Sequence, residues 1–197
     1  MFLDHPMCTG TCRHRRPDGS LCGAPLDAKG THARSCPVGG WLVRRHNSVV
    51  AVLADWCENA CSCTVFQERV LPTAHPDHSE ARMDLIAHSP HVAGAVFIDF
   101  TVVSALSVEA LQKGAGLREG VASSLAADDK VRKYPNCRTH AFPVEDHGRF
   151  GEAAIELIRM LAPTDLDRRS KAISELYHDL ACTLQRASAD AVIAACT

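Results

Sequence analysis

The stretch from Arg82 to Thr101, RMDLIAHSPHVAGAVFIDFT, constrains this chain more than any other. Its apolar and β-branched runs read as two strands, about 82–88 and 93–104, joined by a turn near Ser89–Gly94. Each strand carries one aspartate, Asp84 in Met-Asp-Leu-Ile and Asp99 in Val-Phe-Ile-Asp-Phe-Thr-Val-Val. A carboxylate buried without a partner in such surroundings is costly. Adjacent strands allow the two acids to share one partner. Two carboxylates suit a divalent cation such as Mg²⁺ or Mn²⁺, which keeps several of its waters. Asp84 and Asp99 are therefore the candidate ligands of such an ion.

The flanking segments supply the rest of an α/β chain. Val49, Val50, Val52, Leu53 and Trp56 recur at helical spacing, with a start expected near Asn47 or Ser48. Residues 63–71, CTVFQERVL, read as a strand that includes Glu68. The loop that follows holds His75, the Pro76-Asp77 pair and His78. A helical pattern runs from Ser107 to Tyr134, firmest over about 117–133, and Lys130, Lys133 and Tyr134 lie on one face of it. Cys137–Pro143 is a short final strand, AAIELIRMLA a helix stopped near Pro163, and about 166–195 a long last helix. After residue 45 the order is α-β-β-β-α-β-α-α. A lysine beside the two aspartates would position a water or a phosphate, and Lys130 and Lys133 are the candidates.

Residues 1–40 are rich in Gly, Pro, Cys and His and have no apolar periodicity, so they cannot build a core unaided. The pattern Cys12-x9-Cys22-x9-His32-x3-Cys36 offers four ligands for a closed tetrahedral zinc site. Cys22-Gly23 has the form of a knuckle, in which glycine lets backbone amides approach a thiolate. Cys8 and His14 are competing ligands. The expected division is a zinc module over 1–42 and a second domain over 43–197. Cys57, Cys61 and Cys63 lie close together without a fourth ligand, and two of them are read as core-facing.

The ten cysteines come without the basic-then-apolar layout of a signal peptide. That favours metal ligation or free thiols over disulfides, and an intracellular, nuclear setting. No apolar run approaches the roughly 18 residues of a membrane span. The net charge of −2 is unevenly spread: residues 1–50 hold seven Arg and Lys against three Asp, leaving the remainder at −6. Arg44, Arg45 and His46, with Asn47, stand at the expected helix entrance as candidate phosphate contacts.

Taken in order, the Cys12/Cys22/His32/Cys36 pattern, Arg45-His46-Asn47, Glu68, Arg82-Met83-Asp84-Leu85, Asp99 and Lys130-x-x-Lys133-Tyr134 resemble a known family. It is the C-terminal restriction-like endonuclease domain of site-specific non-LTR retrotransposon proteins, a member of the PD-(D/E)xK nucleases. The resemblance covers nearly the whole chain from Cys12. It implies a mixed sheet flanked by helices behind a zinc knuckle, and metal-dependent nicking of target DNA, with RNA as a further partner. It maps Asp84 and Asp99 to the metal carboxylates and Lys130 or Lys133 to the catalytic lysine. Glu68 maps to an accessory acid, Tyr134 to a flanking site residue, and Arg45, His46 and Asn47 to the family's Arg-His-Asn motif. Met83 stands where the family usually has proline, and Asp99 is followed by Phe-Thr, so the lysine must come from the helix. No Tyr-x-Asp-Asp motif occurs, so a reverse-transcriptase domain would be a partner outside this chain.

Overall fold

The computed structural model describes residues 10–75, 77 and 80–197. Cys8, Pro76 and His78 lie outside the described residues. The chain divides into two compact units, Val49–Ala181 and Met1–Ser48 with Cys182–Thr197. It is mixed α/β, with a four-stranded sheet.

In chain order the helices are α1 (Thr31–Ser35), α2 (Trp41–Asn59), α3 (Val108–Gln112), α4 (Val121–Lys133), α5 (Glu152–Leu161) and α6 (Leu166–Cys196). The strands are β1 (Thr64–Val70), β2 (Arg82–His88), β3 (Ala95–Val103) and β4 (Thr139–Glu145). They form the sheet of the Val49–Ala181 unit in the order β1-β2-β3-β4. β1, β2 and β3 pair antiparallel, and β4 joins β3 in parallel after a crossover that contains α4.

Alternation along β3 sends Ile98 and Phe100 to one face and Asp99 to the other. On the first face Phe100 stacks on Phe142 of β4 at 5.6 Å, Phe150 meets Phe142 edge-on, and Tyr177 of α6 meets Phe150 at 4.8 Å. Trp56 of α2 donates its indole N–H to the Ala172 carbonyl of α6 at 2.8 Å. α4 packs against β3 and β4 and reaches the face that carries Asp99. Gly151, just before α5, sits so close to Pro143 and Ser123 that an added Cβ would lie 2.7 Å from both side chains.

Register places the two aspartates opposite each other. β2 and β3 are paired from His88↔Ala95 to Leu85↔Ile98, and the next residues in line are Asp84 and Asp99. There the regular ladder stops. The Asp84 carboxylate accepts the Phe100 backbone N–H at 2.6 Å, so a side chain takes up a main-chain donor. On its other side Asp84 lies across from Glu68, between the pairs Gln67↔Leu85 and Arg69↔Met83. Glu68 has φ 51°, left-handed backbone inside a strand.

The smaller unit opens with a hairpin that sequence periodicity did not reveal. Bridges Arg15↔Leu21 and Thr11↔Pro25 pair its arms. Pro17-Asp18-Gly19 turns it, with Gly19 at φ 83° and Asp18 accepting the Ser20 N–H at 2.9 Å. α1, the first turns of α2 and the end of α6 complete the unit. Cys12, Ala33, Cys36 and Ala195 are its buried cluster.

Two expectations need correcting. α2 starts at Trp41, six or seven residues before Asn47 or Ser48. Gly39 and Gly40, at φ 84° and 73°, make the turn that launches it. Arg44, Arg45, His46 and Asn47 therefore lie within its first two turns, not at its entrance. Cys196 is disulfide-bonded, against the expectation of ligands and free thiols alone.

Candidate functional site

Asp99 is 2% exposed and held from α4. Lys130 donates to its Oδ1 at 2.5 Å, and the Lys133 ammonium lies 3.7 Å from its Oδ2. Lys130 is mostly covered, with its side chain 22% exposed, whereas that of Lys133 is 55% exposed. One helical turn separates the two lysines, so both reach one carboxylate. Oδ2 is buried and accepts no hydrogen bond from the described residues. Burial pushes the Asp99 carboxyl up from its ordinary range; Lys130 opposes that shift and the neighbouring Asp84 carboxylate adds to it. The two acids therefore feel each other's charge, as the register requires.

Glu68 extends the acidic group. Its carboxylate lies within 4.8 Å of that of Asp84, and it pairs with Arg82 at 3.2 Å across the exposed edge of the sheet. Arg82 thus engages Glu68 through its guanidinium. Tyr134 is buried with Met83 and Ile86, and its phenol donates to the Arg82 carbonyl at 2.7 Å. Burial, then the Asp99 charge, push its hydroxyl well above the usual range. Tyr134 thus borders the acids as a packed, hydrogen-bonded wall, with the Lys133 ammonium 4.7 Å from its ring. A buried carboxylate oxygen without a donor, beside a second carboxylate, is a donor set that fits a divalent cation.

In the smaller unit the structure brings Cys12, Cys22, His32 and Cys36 together, with all four ligand atoms within 4.8 Å of one another. Cys12 and Cys36 sulfurs are 3.8 Å apart, Cys36 and Cys22 3.6 Å, and Cys22 Sγ lies 3.5 Å from His32 Nε2. A zinc ion with Zn–S bonds of about 2.3 Å requires tetrahedral edges of about 3.8 Å, so the set can hold the metal. The nine-residue gap between Cys12 and Cys22 is closed by the hairpin, on whose facing arms the two cysteines stand. An N–H from Ala24 to the Cys22 sulfur brings that thiol down to about 7, while burial pushes Cys36 up to about 12. Asp27 fixes His32 by accepting the backbone N–H groups of Thr31 and His32 at 2.9 and 2.8 Å.

Arg45 is buried and donates to the Arg34 carbonyl at 3.1 Å, tying α2 to α1. Arg44 is exposed, with its guanidinium 4.7 Å from the Trp41 ring. His46 is half-buried and Asn47 exposed. Cys57, Cys61 and Cys63 are all buried, and among the described residues they do not form a metal-holding group. Arg13, Arg15 and Arg16, part of the basic excess of residues 1–50, are exposed on the hairpin, whose turn Pro17-Asp18-Gly19 was its signal in the sequence. No membrane-length apolar helix occurs among the described residues. Compared with known proteins, the chain matches no protein-family model and no curated protein.

Proposed function

We propose that this chain is a metal-dependent DNA endonuclease domain of the restriction-like type, derived from a non-LTR retrotransposon protein and carrying a structural zinc module. The observation that carries the reading is the Lys130–Asp99 pair beside Asp84, where a buried carboxylate oxygen lacks a donor. Asp84 and Asp99 would hold Mg²⁺ or Mn²⁺, which supplies charge for the phosphate and a more acidic water. Lys130 is the working lysine of the two, being the closer and the better covered. Its ammonium keeps a donor where charge develops on the scissile phosphate. In the reaction a water oxygen bonds to phosphorus, the P–O3′ bond breaks, and the departing oxygen takes up a proton. The products are a 3′-hydroxyl and a 5′-phosphate. Glu68 adds acidic charge beside Asp84, and Tyr134 walls the site. Cys12, Cys22, His32 and Cys36 would hold Zn²⁺.

A plasmid-nicking assay with Mg²⁺ tests the reading. Wild type is expected to convert supercoiled DNA to the open circle, and Asp99→Asn to leave it supercoiled. Equal activity in the two would sink the assignment. The second reading, an inert zinc-containing nucleic-acid-binding module, is favoured by the exposed arginines of the smaller unit. It predicts DNA binding that survives Asp84→Asn and no cleavage in Mg²⁺ or Mn²⁺.

A further inference from the structure

The smaller unit contains three clefts that share walls. The middle one, about 470 Å³, is walled by Arg13, His14, Arg15, Trp41 and Arg44. Arg15 and Gly39 also wall a cleft of about 500 Å³ that adds Arg16. Trp41 and Arg44 also wall a third, about 510 Å³, that adds Asn47, Ser48 and the carboxylate of Asp190.

Arg13, Arg15, Arg16 and Arg44 are exposed, and none joins an ion pair among the described residues. Arg13 donates to a main-chain oxygen of Thr197 at 3.3 Å, and two arginines are held by neutral carbonyls: Arg15 by that of Gly19 at 3.2 Å, Arg16 by that of Leu21 at 2.5 Å. Such bonds fix the guanidinium groups without neutralising them. A row of positioned cations that outnumbers the neighbouring Asp18 and Asp190 carboxylates calls for a polyanion.

The middle cleft adds flat surfaces. The His14 ring stacks on Trp41 at 5.9 Å, and the Arg44 guanidinium lies 4.7 Å from the same ring. His14 is 2% exposed and donates to the Ala191 carbonyl through Nε2 at 2.9 Å.

We infer that the three clefts bind a single-stranded polynucleotide, with successive phosphates along Arg16, Arg15, Arg13 and Arg44 and an unstacked base in the middle cleft. Cavities of this size, within about 300–1,000 Å³, take a group as large as a base with its sugar. A duplex keeps its bases stacked inside and cannot place one there, whereas a single strand can lay a base on an aromatic or guanidinium plane. The inference rests on the proposed function only for the class of polymer.

The test uses the full zinc-loaded chain carrying Asp99→Asn, so that no strand is cut. Fluorescence anisotropy is read with labelled single-stranded DNA and RNA of about 12 nucleotides and with the matching duplex. Single strands are expected to bind more tightly than the duplex, and the DNA and RNA arms identify which sugar is preferred. Arg15→Gln with Arg16→Gln should weaken single-strand binding about tenfold and flatten the log–log salt dependence by about 1.4, as loss of two phosphate contacts requires. Trp41→Leu should weaken the same binding and Trp41→Phe restore most of it, with zinc content unchanged in every variant. Equal affinity for duplex and single strand, or indifference to the arginine pair, overturns the inference. Wild-type protein that nicks plasmid while the Asp99→Asn chain ignores single strands overturns this inference alone. Single-strand binding without nicking in the wild type overturns the nuclease reading alone.

Discussion

Glu68 has the least comfortable backbone among the candidate site residues. At φ 51° a residue with a Cβ costs about 1–2 kcal/mol relative to glycine. Its exposed pair with Arg82 returns little, because surface ion pairs are worth about 0–1 kcal/mol. Glu68→Gly is therefore expected to match or exceed wild-type stability in urea while nicking falls, a combination that a purely structural glutamate would not give. His140 supplies a pH test on β4. Burial, then Arg138, lower its pKa below the ordinary 6.5. The unfolded chain thus takes up the proton first as pH falls, and stability is lost below about pH 6.5. In His140→Gln the urea midpoint should lose part of that acid-side decline. The sequence made Asp84 and Asp99 legible, because an acid inside an apolar run is visible in one dimension. The strain at Glu68 was not, because a backbone torsion has no letter.

At the scale of elements, α4 sets which lysine lies closer to Asp99. Lys130→Met is expected to lower the nicking rate by at least about 100-fold, as loss of a donor at a developing charge does. Lys133→Met, which removes the more exposed and more distant amine, should cost much less. Comparing single-turnover rates checks the order. Gly151→Ala probes the packing beneath α5. A methyl 2.7 Å from both Pro143 and Ser123 overfills that contact and should cost about 1–3 kcal/mol of stability in denaturant titrations. The order of strands and long helices was readable from periodicity, with ends shifted by a few residues. The start of α2 was misplaced because Trp41, Leu42 and Val43 adjoin two glycines that read as a loop but serve as a launch turn. The hairpin was invisible to periodicity because its arms carry cysteines and arginines where a strand usually alternates apolar residues.

At the scale of the whole molecule, the smaller unit has a buried cluster of four residues, two of which, Cys12 and Cys36, are candidate metal ligands. Its order should therefore follow metal occupancy. Purified protein is expected to carry a single zinc at Cys12, Cys22, His32 and Cys36. In Cys36→Ala the metal content should drop, and hairpin amides such as that of Cys22 should lose protection from hydrogen exchange. The ligands were legible as a spacing, but that the first gap closes across a hairpin was not, because it depends on which carbonyl meets which N–H.

The Asp84 carboxylate accepts the Phe100 N–H where the β2–β3 ladder ends. That bond ties a candidate catalytic acid to the fabric of the sheet, and it has an evolutionary consequence. In a lineage released from selection for cleavage, Lys130 can drift without opening the sheet. Asp84 cannot, because its loss strands a main-chain donor. Retention of Asp84 among descendants would then record the survival of the fold, and only retention of Lys130 together with Asp99 would record the survival of the chemistry.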